Sequence, residues 1–277
     1  MIRFISDGAL SSCCTFLTGG RAKRLAYAYN ESELLEAAKD GALVIGRGSN
    51  ILFGDYGYGG TVVVNRTSGI AFEERTCTCA SGVLLSELCR SFTREGREGL
   101  TWAVGLPGTV GGAVIGNAGA FGGCMADVVQ AVCVFDGKGV ARIENEACGF
   151  AYRQSAIKGT VVGVELRAEK GERQAIETAA AQTARKRKES QPQGASAGCI
   201  FKAADGKSAG ALIDSAGLKG LRVGGAVVSN KHANFIINDG GAKSGDILQL
   251  MRTVQAIVYD KFGILLAPEI KRIGAFT

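Results

Sequence analysis

A thiol, Cys199, lies inside a stretch of small residues, Ser196-Ala-Gly-Cys-Ile-Phe-Lys202. A thiol has a pKa of about 8.5, far below that of an alcohol, so it gives up a proton more readily. The chain has nine cysteines, however, and most of them need no special reason. Taken alone, Cys199 is interpreted most simply as a structural thiol. The alternative is that the loop is small so that the sulfur can reach a ligand.

His232 is the only histidine, so a multi-histidine metal site is impossible within one chain. A serine–histidine or cysteine–histidine pair would have to use this residue. The cysteines show no zinc-ligand spacing, because Cys77 and Cys79 alternate along a predicted strand and Cys13 and Cys14 are adjacent. We therefore predict no metal site, and acid–base chemistry that relies on carboxylates, arginine, lysine, tyrosine or thiol.

Three further polar stretches could carry chemistry. Tyr152-Arg153-Gln154-Ser155 is either a surface turn with a salt bridge or a guanidinium beside an aromatic ring, suited to stabilise oxyanion charge. The polar residues of 229–238 could bind phosphate or sugar hydroxyls, or simply cap the loop locally. In Ala267-Pro-Glu-Ile270, Glu269 taken alone is more typical of an exposed acid.

Two glycine-rich loops frame these stretches. Gly46-Arg47-Gly48-Ser49-Asn50 follows a predicted strand, and its backbone N–H groups could point at a phosphate pair, although a tight strand–loop turn is the simpler interpretation of this loop taken alone. The second loop, Pro107–Gly112 continued by 117–120, lies in an uncharged interval between Glu98 and Asp127. Pro107 and the glycines argue against a membrane helix there. Two such loops in one region favour a dinucleotide cofactor bound through main-chain contacts.

The early chain predicts strands that alternate with helices, and a composition change predicts a boundary near residues 168–172. Predicted strands are 42–46, 61–65, 75–80, 128–135, 140–143 and 160–168, with a hairpin turn at Asp136-Gly137. Predicted helices are 33–39, with Asn30 or Ser32 as N-cap, 84–94, 171–190 and 245–262.

A formal net charge of +6 with acidic residues throughout would suit an anionic, phosphate-bearing ligand without demanding nucleic acid. The basic run 185–188 is interpreted as a solvated helix face, and few aromatic residues accompany it. Asp7 interrupts the N-terminus before any apolar run forms, so we expect no secretory signal. Reduced thiols in the cytoplasm are the expected state.

Taken together, the motifs resemble one family closely. Gly46-x-Gly-Ser-Asn, Gly105-Leu-Pro-Gly-Thr-Val-Gly-Gly, Tyr152-Arg-x-Ser, Gly198-Cys-x-Phe-Lys, Lys231-His-Ala-Asn-Phe and Pro268-Glu-Ile occur in the order found in UDP-N-acetylenolpyruvoylglucosamine reductases of bacterial peptidoglycan synthesis. The resemblance runs from about residue 15 to 272. It is to the shorter subtype of that family, because Tyr152 is followed closely by the predicted strand at Thr160, which leaves no room for the tyrosine-bearing loop insertion of the other subtype.

The resemblance implies an α+β protein with the FAD-binding fold of the vanillyl-alcohol oxidase type and a C-terminal α+β substrate-binding domain. The implied domains are FAD subdomain 1 (1–68), FAD subdomain 2 (69–170) and the substrate-binding domain (171–267), with the strand 268–277 returning to the first. FAD would be bound non-covalently, and NADPH would donate the hydride. We expect a monomer that acts on a UDP-sugar and neither binds nucleic acid nor inserts into a membrane.

The implied reaction is the reduction of an enolpyruvyl sugar, in which one carbon receives a hydride and its neighbour a proton. By motif, Cys199 takes the place of the proton donor, where many relatives carry serine, and Arg153 and Glu269 help to polarise the carboxylate. The implied cofactor-binding residues are Gly46, Arg47, Gly48, Ser49, Asn50, Pro107, Gly108, Thr109, Gly111, Gly112, Asn117, Ala118 and Gly119. The implied substrate-binding residues are Tyr152, Lys202, Lys231, His232 and Asn234.

One departure from the family stands out, since Ala203-Ala204 replaces an Asn-Pro pair found in many relatives. Two other functions stay open at this point. One is an FAD-dependent oxidoreductase of the same fold that acts on a different alcohol or sugar. The other is a non-catalytic nucleotide-binding protein in which Cys199 is a structural thiol.

Overall fold

A computed structural model describes residues 2–204 and 206–276 of the chain. Within these residues the α-helices are α1 (Glu31–Lys39), α2 (Leu85–Arg94), α3 (Val110–Ile115), α4 (Met125–Val128), α5 (Arg173–Ser190), α6 (Ala209–Ser215) and α7 (Ser244–Phe262). The first strands are β1 (Phe4–Ala9), β2 (Arg21–Ala28), β3 (Leu43–Ile45), β4 (Ile51–Phe53), β5 (Tyr58–Asn65), β6 (Ile70–Phe72), β7 (Thr76–Ala80) and β8 (Gly119–Ala120). The later strands are β9 (Gly123–Cys124), β10 (Val129–Phe135), β11 (Val140–Glu144), β12 (Thr160–Arg167), β13 (Arg222–Val223), β14 (Ala226–Val228), β15 (Ile236–Asn238) and β16 (Lys271–Ile273).

The chain forms two compact units. One comprises residues 1–4, 26–47 and 61–189, and the other comprises 5–25, 48–60 and 190–277. The three-domain division given above cuts the chain at other residues and stays a prediction. Two sheets are large: one has the strand order β1-β2-β5-β3, and the other has the order β11-β10-β12-β7-β6.

In the first unit, the main core lies between the five-stranded sheet and helices α2 and α3. From Val162 to Arg167, β12 alternates buried residues with half-buried or exposed ones, as expected for a strand with one face on a core. α2 buries Leu85, Leu88 and Phe92, which share one face of the helix at spacings of three and four residues. This packing fixes the loop before α3, because Leu85 donates its backbone N–H to the Gly108 carbonyl (3.1 Å).

α1 begins at Glu31, two residues before the predicted start, and uses the first of the two predicted N-caps. Asn30 caps the helix, and its side-chain oxygen accepts the Glu33 N–H (2.9 Å). The predicted hairpin also forms, with β10 antiparallel to β11 and Val134 opposite Ala141. Asp136 stabilises the turn because its carboxylate accepts the N–H groups of Lys138 and Gly139.

In the second unit, α7 packs against α6 and against a three-stranded sheet of order β13-β14-β15. The C-terminal strand β16 runs parallel to β4, with Arg272 opposite Leu52. Among the described residues, we find no helix that combines the length and the apolar character needed to cross a bilayer.

Candidate functional site

The first and second glycine-rich loops contact each other at Gly46 and Thr109. A Cβ on Gly46 would lie 3.1 Å from Thr109 Cγ2 and closer still to the hydroxyl, so only glycine fits. Thr109 is the N-cap of α3, and its hydroxyl accepts the Gly112 N–H (3.4 Å). Gly46, which directly follows β3, and Thr109, the N-cap of α3, are therefore packed together. A ligand that both loops bind would require this.

The rest of the first loop contacts the second unit's own backbone. Gly48 has φ +63°, and a Cβ there would lie 2.6 Å from Cys14 Cα. Asn50 donates from its side-chain amide to the Glu269 carbonyl (3.2 Å), and its own carbonyl accepts the Lys271 N–H (2.9 Å). Asn50 thus fixes the segment that carries the predicted carboxylate.

The second loop is fixed by main-chain bonds. Gly111 donates to the Ser81 carbonyl (2.8 Å), and a Cβ on Gly111 would lie 2.9 Å from the Ser81 Cβ. Asn117 has φ +40°, and its amide donates to the Ala151 carbonyl while accepting the Ala126 N–H, both at 3.0 Å. Since Ala151 directly precedes Tyr152, Asn117 ties the second loop to the predicted arginine turn.

Arg153 lies in a tight turn in which Ala151 and Gln154 exchange backbone hydrogen bonds. Its φ is +58°, a costly conformation for a residue with a side chain, and such strain clusters at functional sites. The guanidinium carbon lies 5.0 Å from the Tyr152 ring centroid, and Nη1 would be 3.3 Å from a Cβ on Gly119. The structure therefore brings Arg153 beside the residues predicted to hold the cofactor.

These loops suit a dinucleotide cofactor such as FAD. Gly46 and Gly111 sit where a Cβ would meet a neighbouring group, so both loops pack closely through bare backbone. Residues 99–126 carry no charged side chain, and main-chain N–H groups bind phosphate without one. The residues present fit the group that the sequence predicts.

Cys199 lies in the second unit, on an extended segment between two others. It forms a β-bridge with Phe235, and the next residue, Ile200, donates to the Asn234 carbonyl (2.9 Å). On the other side, Glu269 donates its backbone N–H to the Ile200 carbonyl (2.7 Å). Cys199 and Glu269 are both half-buried, and backbone hydrogen bonding places their two segments side by side.

Asn234 is buried, and its side chain holds this arrangement. It accepts the Phe201 N–H (3.0 Å) and donates to the Phe201 carbonyl (2.8 Å). Both polar atoms of the Asn234 amide are thus engaged by Phe201. The contact of Asn234 with substrate stays a prediction. Lys202 is half-buried and Lys231 is exposed, and both lie on the segments that flank Cys199.

His232 is half-buried, and its Nδ1 accepts the Asn234 N–H (3.2 Å). The accepting nitrogen carries no proton, so a neutral ring has its proton on Nε2. Burial lowers the pKa of His232, and the positive charge of Lys219 lowers it further. At neutral pH this residue therefore offers a hydrogen-bond donor and no charge.

Most other cysteines belong to the core. Cys77, Cys79, Cys89 and Cys148 are buried in the first unit. Burial raises the pKa of Cys77 and of Cys89 to about 12, which keeps both thiols neutral and inert. Cys199 differs from these four because it is half-buried and lies beside predicted site residues.

Arg187 is the residue that the sequence reasoning missed. It belongs to the basic run interpreted as a solvated face of α5, yet only 8% of it is exposed. Its Nε donates to the Val104 carbonyl (2.9 Å), directly before the second glycine-rich loop. The sequence contained a signal for this, because Arg187 follows Ala180 by seven residues and Ile176 by eleven, which places it on the buried face of the helix.

Two family models match the chain. The model of an FAD binding domain matches residues 30–145, and the model of the C-terminal domain of UDP-N-acetylenolpyruvoylglucosamine reductase matches residues 190–273. A reductase of this name from Synechococcus elongatus is 42% identical over 240 residues, which cover 84% of this chain and 80% of the relative. The corresponding protein of Caldicellulosiruptor bescii is 39% identical and covers 99% of this chain and 92% of its own.

The chain belongs to the UDP-N-acetylenolpyruvoylglucosamine reductase family. The solved reductase from Thermus caldophilus matches with a TM-score of 0.87 and 36% identity over 99% of both chains. Together with the FAD binding domain match, this confirms the predicted fold, an FAD-binding α+β fold of the vanillyl-alcohol oxidase type with an additional C-terminal domain.

Proposed function

We propose that this protein is the FAD-dependent reductase that converts UDP-N-acetylglucosamine enolpyruvate into UDP-N-acetylmuramate with NADPH, a step in peptidoglycan precursor synthesis. The observation that carries this is the structural match to a reductase of this family over 99% of both chains. Relatives 39% identical over nearly the whole chain agree with it.

FAD bound by the two glycine-rich loops would supply the redox chemistry, the transfer of a hydride from NADPH to the methylene carbon of the enolpyruvyl group. The chain's task is then to deliver one proton to the adjacent carbon. We assign that proton to the Cys199 thiol. What supports this is its half-buried position on a segment hydrogen-bonded to both the Asn234 and the Glu269 segments. After the transfer, the thiolate regains a proton from solvent, so the addition of hydride and proton across the double bond is balanced.

Arg153 and Glu269 act on the charge that develops in this addition. We assign Arg153 to the substrate carboxylate and enolate oxygens, because a guanidinium offers paired donors to such groups. Its strained backbone and its position beside Gly119 support this role. Glu269 is assigned, with Arg153, to help polarise the carboxylate and stabilise the enolate, and its backbone hydrogen bond to the Ile200 carbonyl holds its segment beside that of Cys199.

The first loop, Gly46–Asn50, and the second loop, Pro107–Gly112 with 117–119, are assigned to FAD. They would hold its diphosphate and ribityl chain through main-chain N–H groups. The substrate's diphosphate and sugar would be bound by Tyr152, Lys202, Lys231, His232 and Asn234. Of these, His232 supports the assignment best, because it is neutral and its Nε2–H remains as a donor.

We also propose a cytoplasmic monomer that has a UDP-sugar as its substrate and does not bind nucleic acid. The cysteines are present as thiols, which suits a reducing compartment. Acidic residues lie among the basic ones throughout the sequence, whereas nucleic-acid-binding proteins cluster basic residues on one face. Light scattering during gel filtration would measure the mass, and a dimer would contradict the monomer assignment.

The flavin's own absorbance tests the function. Purified holoprotein should be yellow, its visible band should bleach on anaerobic addition of NADPH, and the band should return when the enolpyruvyl sugar nucleotide is added. Bleaching by a sugar or alcohol instead of NADPH would support a different oxidoreductase of the same fold. A colourless protein that binds no FAD would contradict both enzymatic functions.

A further inference from the structure

Arg187 contacts both ends of the segment 104–121. At one end its Nε donates to the Val104 carbonyl (2.9 Å). Its Cδ lies 2.9 Å from the position of a Cβ on Gly105, so its aliphatic part packs directly on that residue. At the other end the guanidinium carbon lies 5.0 Å from the centroid of the Phe121 ring. One side chain from α5 therefore joins the two points where this segment starts and ends.

The segment needs such a restraint because of its composition. Glycine loses more conformational freedom on ordering than any other residue, and residues 104–121 are rich in it. Between Glu98 and Asp127 the segment has no charged side chain that could form an ion pair of its own. A buried guanidinium that hydrogen-bonds a carbonyl and stacks on a ring limits this freedom from outside the segment.

The backbone conformation of Phe121 is itself unfavourable, so a contact is needed to hold it. It occupies the turn between β8 and β9 with φ +49°, followed by Gly122 at φ +88°. Glycine, asparagine and aspartate are the usual residues in such a turn, and a phenylalanine there is strained. The residue is also 48% exposed, so burial holds it in place only in part. The cation–π contact with Arg187 is the interaction that favours this conformation.

We propose that Arg187 is a positioning residue that clamps the cofactor-binding segment at Val104–Gly105 and at Phe121. This inference rests on the proposed function, because the segment between the two points carries the residues assigned to FAD, from Pro107 to Gly119. The clamp presets the loop in its binding conformation, so FAD does not have to order it on binding. The guanidinium also brings a buried positive charge to a segment that binds an anionic diphosphate.

The clamp is tested by comparing Arg187→Met and Arg187→Lys with Arg185→Met. Arg185 is on the same helix with a largely exposed side chain, so its replacement is the matched control. The dissociation constant for FAD, measured by titrating FAD-free protein and following flavin fluorescence, should rise on the order of tenfold in Arg187→Met. Arg187→Lys should recover part of the affinity, because lysine can donate to the Val104 carbonyl but cannot stack as a plane. Arg185→Met should bind as the unchanged protein does.

Hydrogen exchange on FAD-free protein separates the clamp from the proposed function. Peptides covering 104–109 and 119–124 should exchange faster in Arg187→Met, whereas peptides from β10 and β12 should not change. If the protein failed to bind FAD at all, the proposed function would fail and this comparison would still report on the clamp. Unchanged exchange and unchanged FAD affinity in Arg187→Met would overturn the inference. If Arg187→Met does not fold, the same two measurements on Arg187→Lys and Phe121→Gly decide it, and both variants must then show the faster exchange.

Discussion

At the scale of single residues, Cys199 and His232 owe their chemistry to their neighbours. The chain has eight other cysteines, and the structure separates Cys199 from the core thiols by exposure and by the segments on either side of it. The sequence alone left Cys199 a structural thiol, and only its motif context favoured a proton donor. That role is a prediction that needs a functional measurement.

The Cys199 prediction concerns the second half of the reaction. In Cys199→Ala, NADPH should still bleach the flavin, but the enolpyruvyl substrate should reoxidise it about 10²–10⁴ times more slowly, because no acid supplies the proton. Cys199→Ser should keep substantial activity, since a hydroxyl can also donate. Stopped-flow absorbance measures each half separately. Cys133→Ala removes another half-buried thiol and should react normally. Normal product formation by the Cys199 alanine variant would exclude the assignment.

The His232 prediction concerns pH. Burial and Lys219 lower the pKa of His232 in the folded protein below its ordinary value of 6.5, while the charge of Asp214 opposes this. The folded state therefore favours the neutral ring more than the unfolded state does. The stability that His232 contributes is complete above pH 6.5 and is lost as the pH falls below that value towards the folded-state pKa. Urea unfolding of the protein and of His232→Asn should give free energies that diverge at pH 7.5 and converge towards pH 5.

His232 is the sole histidine, so this divergence can be assigned to one group. Asparagine keeps an oxygen that can accept the Asn234 N–H but does not titrate in this range. Carboxylates are shared by both proteins and cancel in the comparison. Parallel curves between pH 7.5 and 5 would mean that the ring is equally easy to protonate in the folded and unfolded states.

At the scale of elements, α7 depends on a residue far away in the sequence. The carboxylate of Asp55 accepts the N–H groups of Ser244 (2.8 Å) and Gly245 (2.7 Å), which are the first two residues of the helix. These N–H groups have no partner inside the helix, and a negative charge there also complements the helix dipole. Asp55 thus caps α7 from a loop 189 residues earlier in the chain.

Asp55→Ala should lower the free energy of unfolding by about 1–2 kcal/mol, because the N–H groups of buried Ser244 and half-buried Gly245 lose their acceptor. Asp55→Asn keeps one acceptor and should cost less. Guanidinium unfolding monitored by circular dichroism measures both. Asp260→Ala is the control at the opposite end of α7, where removing a negative charge should leave stability unchanged or slightly higher. An equal loss in Asp55→Ala and Asp260→Ala would show that the cap contributes nothing specific.

Elements with local signals were predicted well. Asn30 as the cap of α1 and Asp136-Gly137 as the β10–β11 turn were readable because the deciding residues lie within four positions. α3 was not predicted, since its Val-Gly-Gly start has low helix propensity. It forms because Thr109 caps it and Gly111 packs on Ser81, a contact between residues 30 apart. Arg187 was misread for the same reason, because its partners Val104 and Phe121 lie at a distance in sequence.

At the scale of the whole molecule, the family match and the motifs agree with the two glycine-rich loops, but the sequence left their packing open. That Gly46 meets Thr109 follows only once β3 and α3 are placed in the same unit. The motif residues were found because ligand-binding loops tolerate few residue types. Asn50 and Asn117 are among these motif residues, but the backbone groups that their side chains hold, the Glu269 and Ala151 carbonyls, emerge only from the fold.

The last prediction concerns how FAD affects stability. FAD binds the folded protein and not the unfolded chain, so at a free concentration 100 times its dissociation constant it should add about 2.7 kcal/mol. For a chain of 277 residues this corresponds to a rise in Tm on the order of 5 °C.

The match to an FAD binding domain covers residues 30–145, most of which belong to the first unit. Hydrogen exchange with and without FAD should therefore show added protection mainly in that unit, at the second glycine-rich loop above all. The 190–277 segment serves as the internal control, and protection confined to it would place the cofactor outside the assigned loops.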